Sequence, residues 1–375
     1  MMRRSFLQTM AAGGAALAAG SLLPGCGGLT RAMLPPVAAD LASPPGLSAA
    51  TLRILRDASL APSGHNTQPW RVLVYNETHW TLSLDPTRLL PAVDPANREA
   101  LLSLGAFLEN LAQSAALNGY DARFEVQSAD PLAMDLVRID LAPRTPAAGA
   151  ADRFASRRVV KTGLRAVELK SADADPLQNT WPDHLFYFPR GSQHARCIAE
   201  ETIEAMRRQC ARDEAQAELA KWIRFTPAAI EKNRDGLTTE GMEIQGFAGW
   251  YVRRYYDAAT VMSPSFRAQT IDKTAAQAEE GGGWLIVRGD GNSVTEILDA
   301  GRHFERLFLM LRERKIAIHP MTQILEEASS RERVVADHGP DHGFQLCLRI
   351  GYVRRYPDPV SPRRPVGWFV EVNEK

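Results

Sequence analysis

Apolar residues recur at three- and four-residue steps in two long stretches of this chain. Leu101, Leu104, Leu108 and Leu111 make one stripe, and Gly301, Phe304, Phe308 and Leu311 make the other. That spacing puts each set on one helical face and predicts two long core helices. A shorter helical pattern covers 52–60. Short apolar runs at 71–74, 122–126, 136–139, 316–318 and 346–350 read as strands. The mixture predicts an α+β fold of mixed sheets flanked by helices.

The two stripes belong to a repeat. Gly105-Ala106-Phe107-Leu108-Glu109-Asn110-Leu111 aligns with Gly301-Arg302-His303-Phe304-Glu305-Arg306-Leu307 at an offset of 196 residues (301 minus 105). Each helix runs into one strand pattern, and each unit closes on another. A period this long is a duplicated domain, not a solenoid. The division is then an N-terminal half, 49–150, and a C-terminal half, 151–375. The nearest sequence counterpart of Trp70-Arg71-Val72-Leu73 is Trp222-Ile223-Arg224-Phe225, preceded by Ala217-Glu218-Leu219-Ala220-Lys221. The second half also carries extra length at about 227–280, including Phe247, Trp250, Tyr251, Tyr255 and Tyr256. Two readings stand for these aromatics, core filling or a lid over a site.

Composition narrows the function. The 375 residues are 45% hydrophobic and 23% charged, with 44 basic against 44 acidic side chains. No net charge draws the chain to a polyanion, so nucleic acid is not an expected partner. Arg253-Arg254 and Arg354-Arg355 read as solvated faces or local anion sites. Cys26, Cys197, Cys210 and Cys347 show no zinc-binding spacing. Cys197 and Cys210 are either a disulfide of an oxidising compartment or plain unpaired thiols.

The first 29 residues read as an address. Arg3-Arg4-Ser5-Phe6-Leu7-Gln8 and the mildly apolar run 9–23 resemble a twin-arginine export signal, with an ordinary secretory signal or a disordered tail as the alternatives. The run falls short of the about 20 apolar residues of a membrane span. Leu23-Pro24-Gly25-Cys26 resembles a lipobox, departing from it at Pro24. Lipidation of Cys26 would tether the protein to a membrane surface. Residues 30–48, rich in Pro and Ala, read as a linker. The expected partner for export is the twin-arginine machinery, and the expected location is the periplasm or cell envelope.

The chemistry concentrates in Ala61-Pro62-Ser63-Gly64-His65-Asn66-Thr67-Gln68-Pro69-Trp70. Pro62, Gly64 and Pro69 exclude a continuing helix, so Ser63, Asn66 and Gln68 sit on a loop with a pinned backbone. Such a loop can meet a planar heterocycle bearing carbonyls and ring nitrogens, or simply build a turn. The string closely resembles the segment APS-x-HN-x-QPW of the nitroreductase superfamily's Acg-like FMN-binding family. The resemblance implies a nitroreductase-like fold, with Pro62, Ser63, Asn66 and Gln68 at the flavin; His65 is either structural or a proton donor. Ser156-Arg157-Arg158-Val159-Val160-Lys161-Thr162 resembles the family's Arg-Arg-x-x-Arg/Lys element, departing from it where Val159 replaces a hydroxyl residue. Arg157, Arg158 and Lys161 are thereby implied to hold the FMN phosphate and ribityl chain, and cations four residues apart share a helical face. Ser361-Pro362-Arg363-Arg364-Pro365 resembles the closing segment, implying Arg363 and Arg364 at the phosphate.

Nitroreductases are homodimers with FMN between subunits, and the Acg-like family resembles that dimer fused in one chain. The resemblance thus implies an intrachain pseudo-dimer for which a monomer suffices. The expected function is FMN-dependent electron transfer through flavin N5 from a donor, NAD(P)H among them, to a small-molecule electron acceptor. The alternative is an FMN-sequestering protein with little turnover. No catalytic side chain is assigned.

Overall fold

The computed structural model describes residues 28–34, 46–149, 152–338 and 344–373. Arg3, Arg4 and Cys26, and with them the export and lipidation readings, lie outside the described residues, as does most of the linker at 30–48.

Helix α1 (Ala49–Ala58) starts at Ser48, whose side chain accepts from Thr51 N and satisfies one of the free amides of the first turn. Strands β1 (Trp70–Asn76) and β2 (His79–Leu84), helix α2 (Arg98–Leu117) and strands β3 (Tyr120–Val126) and β4 (Val137–Pro143) follow. The next stretch holds α3 (Asp152–Ser156), α4 (Ser171–Thr180), β5 (Leu185–Pro189) and α5 (Gln193–Ala211). Helices α6 (Asp213–Trp222), α7 (Pro227–Asn233), α8 (Gly246–Tyr255), α9 (Ala258–Met262) and α10 (Pro264–Ala278) then intervene before β6 (Gly283–Arg288). Helix α11 (Val294–Glu313), opened by a reciprocal Ser293–Glu296 cap, leads to β7 (Ile316–Pro320), α12 (Gln323–Glu326), α13 (Ala328–His338) and β8 (Phe344–Tyr352). Strand β9 (Val370–Val372) closes the described chain. The α+β class is as expected.

The strands form two sheets, ordered β3-β4-β2-β1-β9 and β5-β6-β8-β7. Reading the second in reverse, β7-β8-β6-β5, gives the order β3-β4-β2-β1 with β5 to β8 in place of β1 to β4, and every pairing in the two sets is antiparallel. The strand in β1's place is therefore β5, which corrects the match to Trp222-Ile223-Arg224-Phe225. Trp222 ends helix α6, and Ile223 makes an isolated bridge to Leu237. The indole packs with Leu90, Val93 and Ala215, with Arg88, Lys221 and Arg224 within 6 Å or so of its ring at 5.6, 5.7 and 5.4 Å. The two tryptophans differ in structure, since Trp70 opens a strand whereas Trp222 ends a helix.

The two stripes face each other. Helices α2 and α11 carry Leu101, Leu104, Leu108, Phe304, Phe308 and Leu311 into one core that also takes the inner faces of both sheets. Backbone nearness at their crossing is set by glycine. A Cβ on Gly105 would lie 2.1 Å from Leu298 O, and one on Gly301 would lie 2.3 Å from Leu102 O. The contact is reciprocal, since Leu102 and Leu298 are also 196 positions apart (298 minus 102).

The C-terminal tail returns to the first sheet. β9 pairs in parallel with β1, Phe369 meets Phe107 edge-on at 6.2 Å, and Arg71 pairs with Glu371 at 2.9 Å. Cys197 and Cys210 are free thiols, so no disulfide joins them.

Candidate functional site

The loop 61–70 crosses from α1 to β1 in an unusual backbone conformation. His65, Asn66 and Gln68 have φ of 45°, 55° and 55°, the left-handed region that non-glycine residues seldom occupy. Several bonds hold it there: Ser63 Oγ accepts from Gln68 N at 3.0 Å, Asn66 N donates to Ser63 O at 3.0 Å, and Gly236 N donates to Asn66 O at 3.1 Å. Left-handed backbone held by its surroundings is a common feature of binding sites.

Asn66 is a junction. Its Nδ2 donates to Gly236 O and Pro362 O, each at 3.2 Å, and its Oδ1 accepts from Arg363 Nη1 at 2.8 Å. The loop, the segment after α7 and the C-terminal tail thus meet on one side chain. Beside it lies a cavity of about 360 Å³, within the range of small-molecule sites.

Of the residues singled out in the sequence, Pro62, Ser63, Asn66, Arg157, Arg158, Lys161 and Arg363 all line this cavity. Gln68 and Arg364 do not. Gln68 is fully buried, its Nε2 donating to Arg234 O at 2.9 Å and its Oε1 accepting from Arg364 N at 2.8 Å. Arg364 Nη2 donates to Gln68 O at 2.6 Å and Trp70 O at 2.8 Å, with Asp85 at 3.7 Å. These two side chains fasten the tail to β1 rather than face the cavity. The aromatics of 247–256 stack on one another, Phe247 on Trp250 at 5.3 Å and Tyr251 on Tyr255 at 4.8 Å, with Phe247 and Tyr255 exposed. The part of the insertion bordering the cavity is Gly236, Leu237, Thr238 and Gly241.

Sequence reasoning missed four ionisable residues of the cavity. Arg31 falls inside the supposed linker, and His319 ends an apolar strand pattern. Glu99 and Glu326 also line it, where burial pushes both carboxyls up and the Glu99 charge raises Glu326 further. None of the four belongs to a motif, and only folding brings them together.

The lining of the cavity is rich in cations, Arg31, Arg157, Arg158, Lys161 and Arg363. Arg157 Nε lies 3.1 Å from Glu305 Oε1, both buried, without the alignment of a hydrogen bond. Burial raises the Glu305 carboxyl to about 7, against the opposing pull of Arg157. Near neutral pH it therefore supplies only part of a countercharge. Arg158 pairs with Glu243 at 3.2 Å and donates to Asp358 O. The Lys161 ammonium is lowered to about 8 by burial and then by Lys273, and it has no hydrogen-bond partner among the described residues. Arg363 donates to Leu60 O and Ala61 O, each at 3.2 Å; burial, then Arg157 and Arg31, hold it well below its usual range. Five cations thus line the cavity, with Glu305 and Glu243 beside two of them and the Glu99 and Glu326 carboxyls pushed up by burial, an arrangement that an anion relieves. His65, lowered to about 4 by burial and then by Lys161, is neutral at pH 7, and its Nδ1 is buried without a partner.

The chain is similar to a Mycobacterium tuberculosis protein named "Putative NAD(P)H nitroreductase acg", at 25% identity over 338 residues, covering 85% of this chain and 94% of that relative. "Probable NAD(P)H nitroreductase PigM" of a Serratia species is 23% identical over 289 residues, 73% of this chain and 80% of its own length. A further M. tuberculosis protein, named in the same terms as acg, is 27% identical over 332 residues, 86% of this chain and 91% of its own. No family model matches the chain. These relatives support a nitroreductase-type oxidoreductase. The nitroreductase likeness to acg spans most of both proteins.

Proposed function

We propose that the chain is an exported FMN-dependent oxidoreductase of the Acg-like type, with one FMN bound between two fused nitroreductase-like halves. The observation that carries this reading is the meeting of Ser63 and Asn66 with Arg157, Arg158, Lys161 and Arg363 around one cavity. The shared strand order and the reciprocal Gly105–Gly301 crossing support the fused pair, because a two-fold contact is one in which each partner touches the other's equivalent residue.

The residues fit the cofactor. A phosphate dianion answers the excess of buried cations, and the unpartnered His65 Nδ1 and Lys161 ammonium offer polar groups to a ligand. Bound FMN supplies hydride exchange between NAD(P)H and a small oxidised organic acceptor. The chain binds the phosphate with Arg157, Arg158, Lys161 and Arg363, presents the 61–70 loop to the ligand, and excludes water with Leu102, Phe304 and Leu346.

The test is to load the purified protein with FMN and add NADH or NADPH without air. Bleaching of the flavin is expected. Failure to take up FMN overturns the flavin reading, whereas uptake with bleaching by dithionite alone points to sequestration. Flavin released on denaturation should equal one per chain, and two per chain would remove the shared site.

Asn66→Ala should weaken FMN binding more than His65→Ala. The first removes the bonds from Asn66 to Gly236 O, Pro362 O and Arg363 Nη1, a loss of about 1 kcal/mol or more, while His65 has no Nδ1 bond within the protein to lose. Titration of FMN into both variants decides it; an equal or reversed loss would take Asn66 out of the site.

Export is proposed to follow the twin-arginine route, with the Cys26 tether as its membrane-facing option. Replacing Arg3 and Arg4 together by lysine should leave precursor in the cytoplasm, measured by fractionation. Normal delivery of that variant would reject the route.

A further inference from the structure

Residues 28–34 lie on the main fold through few interactions. They form a single short turn, Arg31–Met33, with none of its residues buried, and Met33 is 62% exposed. Hydrophobic burial therefore does not account for its position. The turn is held instead by the backbone bond from Arg31 N to Val360 O at 3.0 Å and by Arg31 Nη2 donating to Ala155 O at 2.6 Å. Gly28 is buried against the Glu240 carboxylate, which Arg253 fixes at 2.7 Å. These bonds place the segment across the C-terminal tail and beside the insertion, at the edge of the cavity.

The Arg31 side chain lines the cavity together with Arg157 and Arg363. A guanidinium offers five N–H donors, and the side-chain bond described for Arg31 uses one of them, on a neutral carbonyl. Burial, and after it the like charge of Arg157, lowers Arg31 to about 10. A partly buried cation beside a second cation, with no carboxylate paired to it among the described residues, is costly unless an anion completes the group.

We infer that Arg31 is a phosphate-binding residue of this site, delivered by the segment that precedes the fold and recognising the terminal phosphomonoester of the flavin alongside Arg157 and Arg363. The assignment rests on the FMN reading above and adds to it a residue from outside both halves. It also gives the 28–34 segment a role: the phosphate ties down the stretch of chain that follows the export and lipobox region, so cofactor loading and docking of that stretch are one event.

The experiment compares FMN with riboflavin, which lacks the phosphate, on full-length wild-type, Arg31→Ala and Arg31→Lys proteins, following flavin fluorescence on titration. Arg31→Ala should raise the Kd for FMN about ten- to a hundredfold and leave that for riboflavin unchanged, as expected for loss of a bond to a charged group. Arg31→Lys, which keeps the charge but loses the planar fork, should fall between. An unchanged FMN affinity in Arg31→Ala overturns the assignment. An equal loss for both flavins also overturns it, since that marks a structural role. A wild-type protein that takes neither flavin rejects the FMN reading itself, and the Arg31 assignment with it.

Discussion

Arg363→Ala should weaken FMN binding about ten- to a hundredfold, while Arg364→Ala, one residue on, should cost stability instead. The two arginines look alike in sequence, but the backbone sends them to opposite sides. Arg363 lines the cavity, where Nη1 bonds Asn66 Oδ1 at 2.8 Å and, among the described residues, no carboxylate is bonded to it. Removing it takes away a charged partner for the proposed FMN phosphate, worth roughly 1.5–3 kcal/mol, and leaves Asn66 Oδ1 without that bond. Arg364 donates to Gln68 O and Trp70 O and lies 5.5 Å from the Phe369 ring. Its loss strips buried carbonyls of their donor and loosens the tail that carries β9, so the denaturation midpoint should fall, with FMN affinity of the folded protein near wild type. Fluorescence titration and urea unfolding of both variants separate the effects. A flavin defect confined to Arg364→Ala would sink the placement of the phosphate.

Much of this architecture is legible in the residue pattern because it depends on periodicity. The stripes at 101–111 and 301–311 specify α2 and α11, and the runs at 122–126, 316–318 and 346–350 fall within β3, β7 and β8. The polar loop is legible too, since proline and glycine leave it no regular alternative. What depends on distant partners is not. Nothing local distinguishes Arg363 from Arg364, or tells that Gln68 turns inward to Arg234 while Asn66 turns toward the tail. Arg31 stands in a Pro- and Ala-rich stretch with no period, and its position is set by Val360 and Ala155, more than a hundred residues away. The counterpart of β1 was missed for a related reason. Strand β5, Leu-Phe-Tyr-Phe-Pro at 185–189, keeps the position of β1 in its sheet and none of its sequence, whereas Trp222 keeps the tryptophan and has a different structure.

The largest loss of stability should come from the crossing of α2 and α11. Alanine is the better helix former by about 1 kcal/mol, so on propensity alone Gly105→Ala and Gly301→Ala would each stabilise. At this crossing the new methyl meets a backbone oxygen of the opposing helix, 2.1 Å from Leu298 O in one case and 2.3 Å from Leu102 O in the other. A carbonyl oxygen has no rotamer to change, so the helices must part, and overpacking of this kind costs typically 1–3 kcal/mol or more. Each variant should therefore unfold at lower urea. The double variant should fall short of the sum, because helices already parted by the first methyl admit the second more easily. The same displacement reaches the site. Leu102 and Ser103 line the cavity from α2 and Phe304 from α11, so spreading the crossing by even a few tenths of an ångström moves two of its walls apart. FMN affinity should thus fall in both variants, although neither glycine touches the cavity. Unfolding midpoints and FMN titrations on the two single variants and the double give the full cycle. Additive losses, or a gain in stability from either alanine, would show that the helices do not meet as closely here as the glycine pair requires.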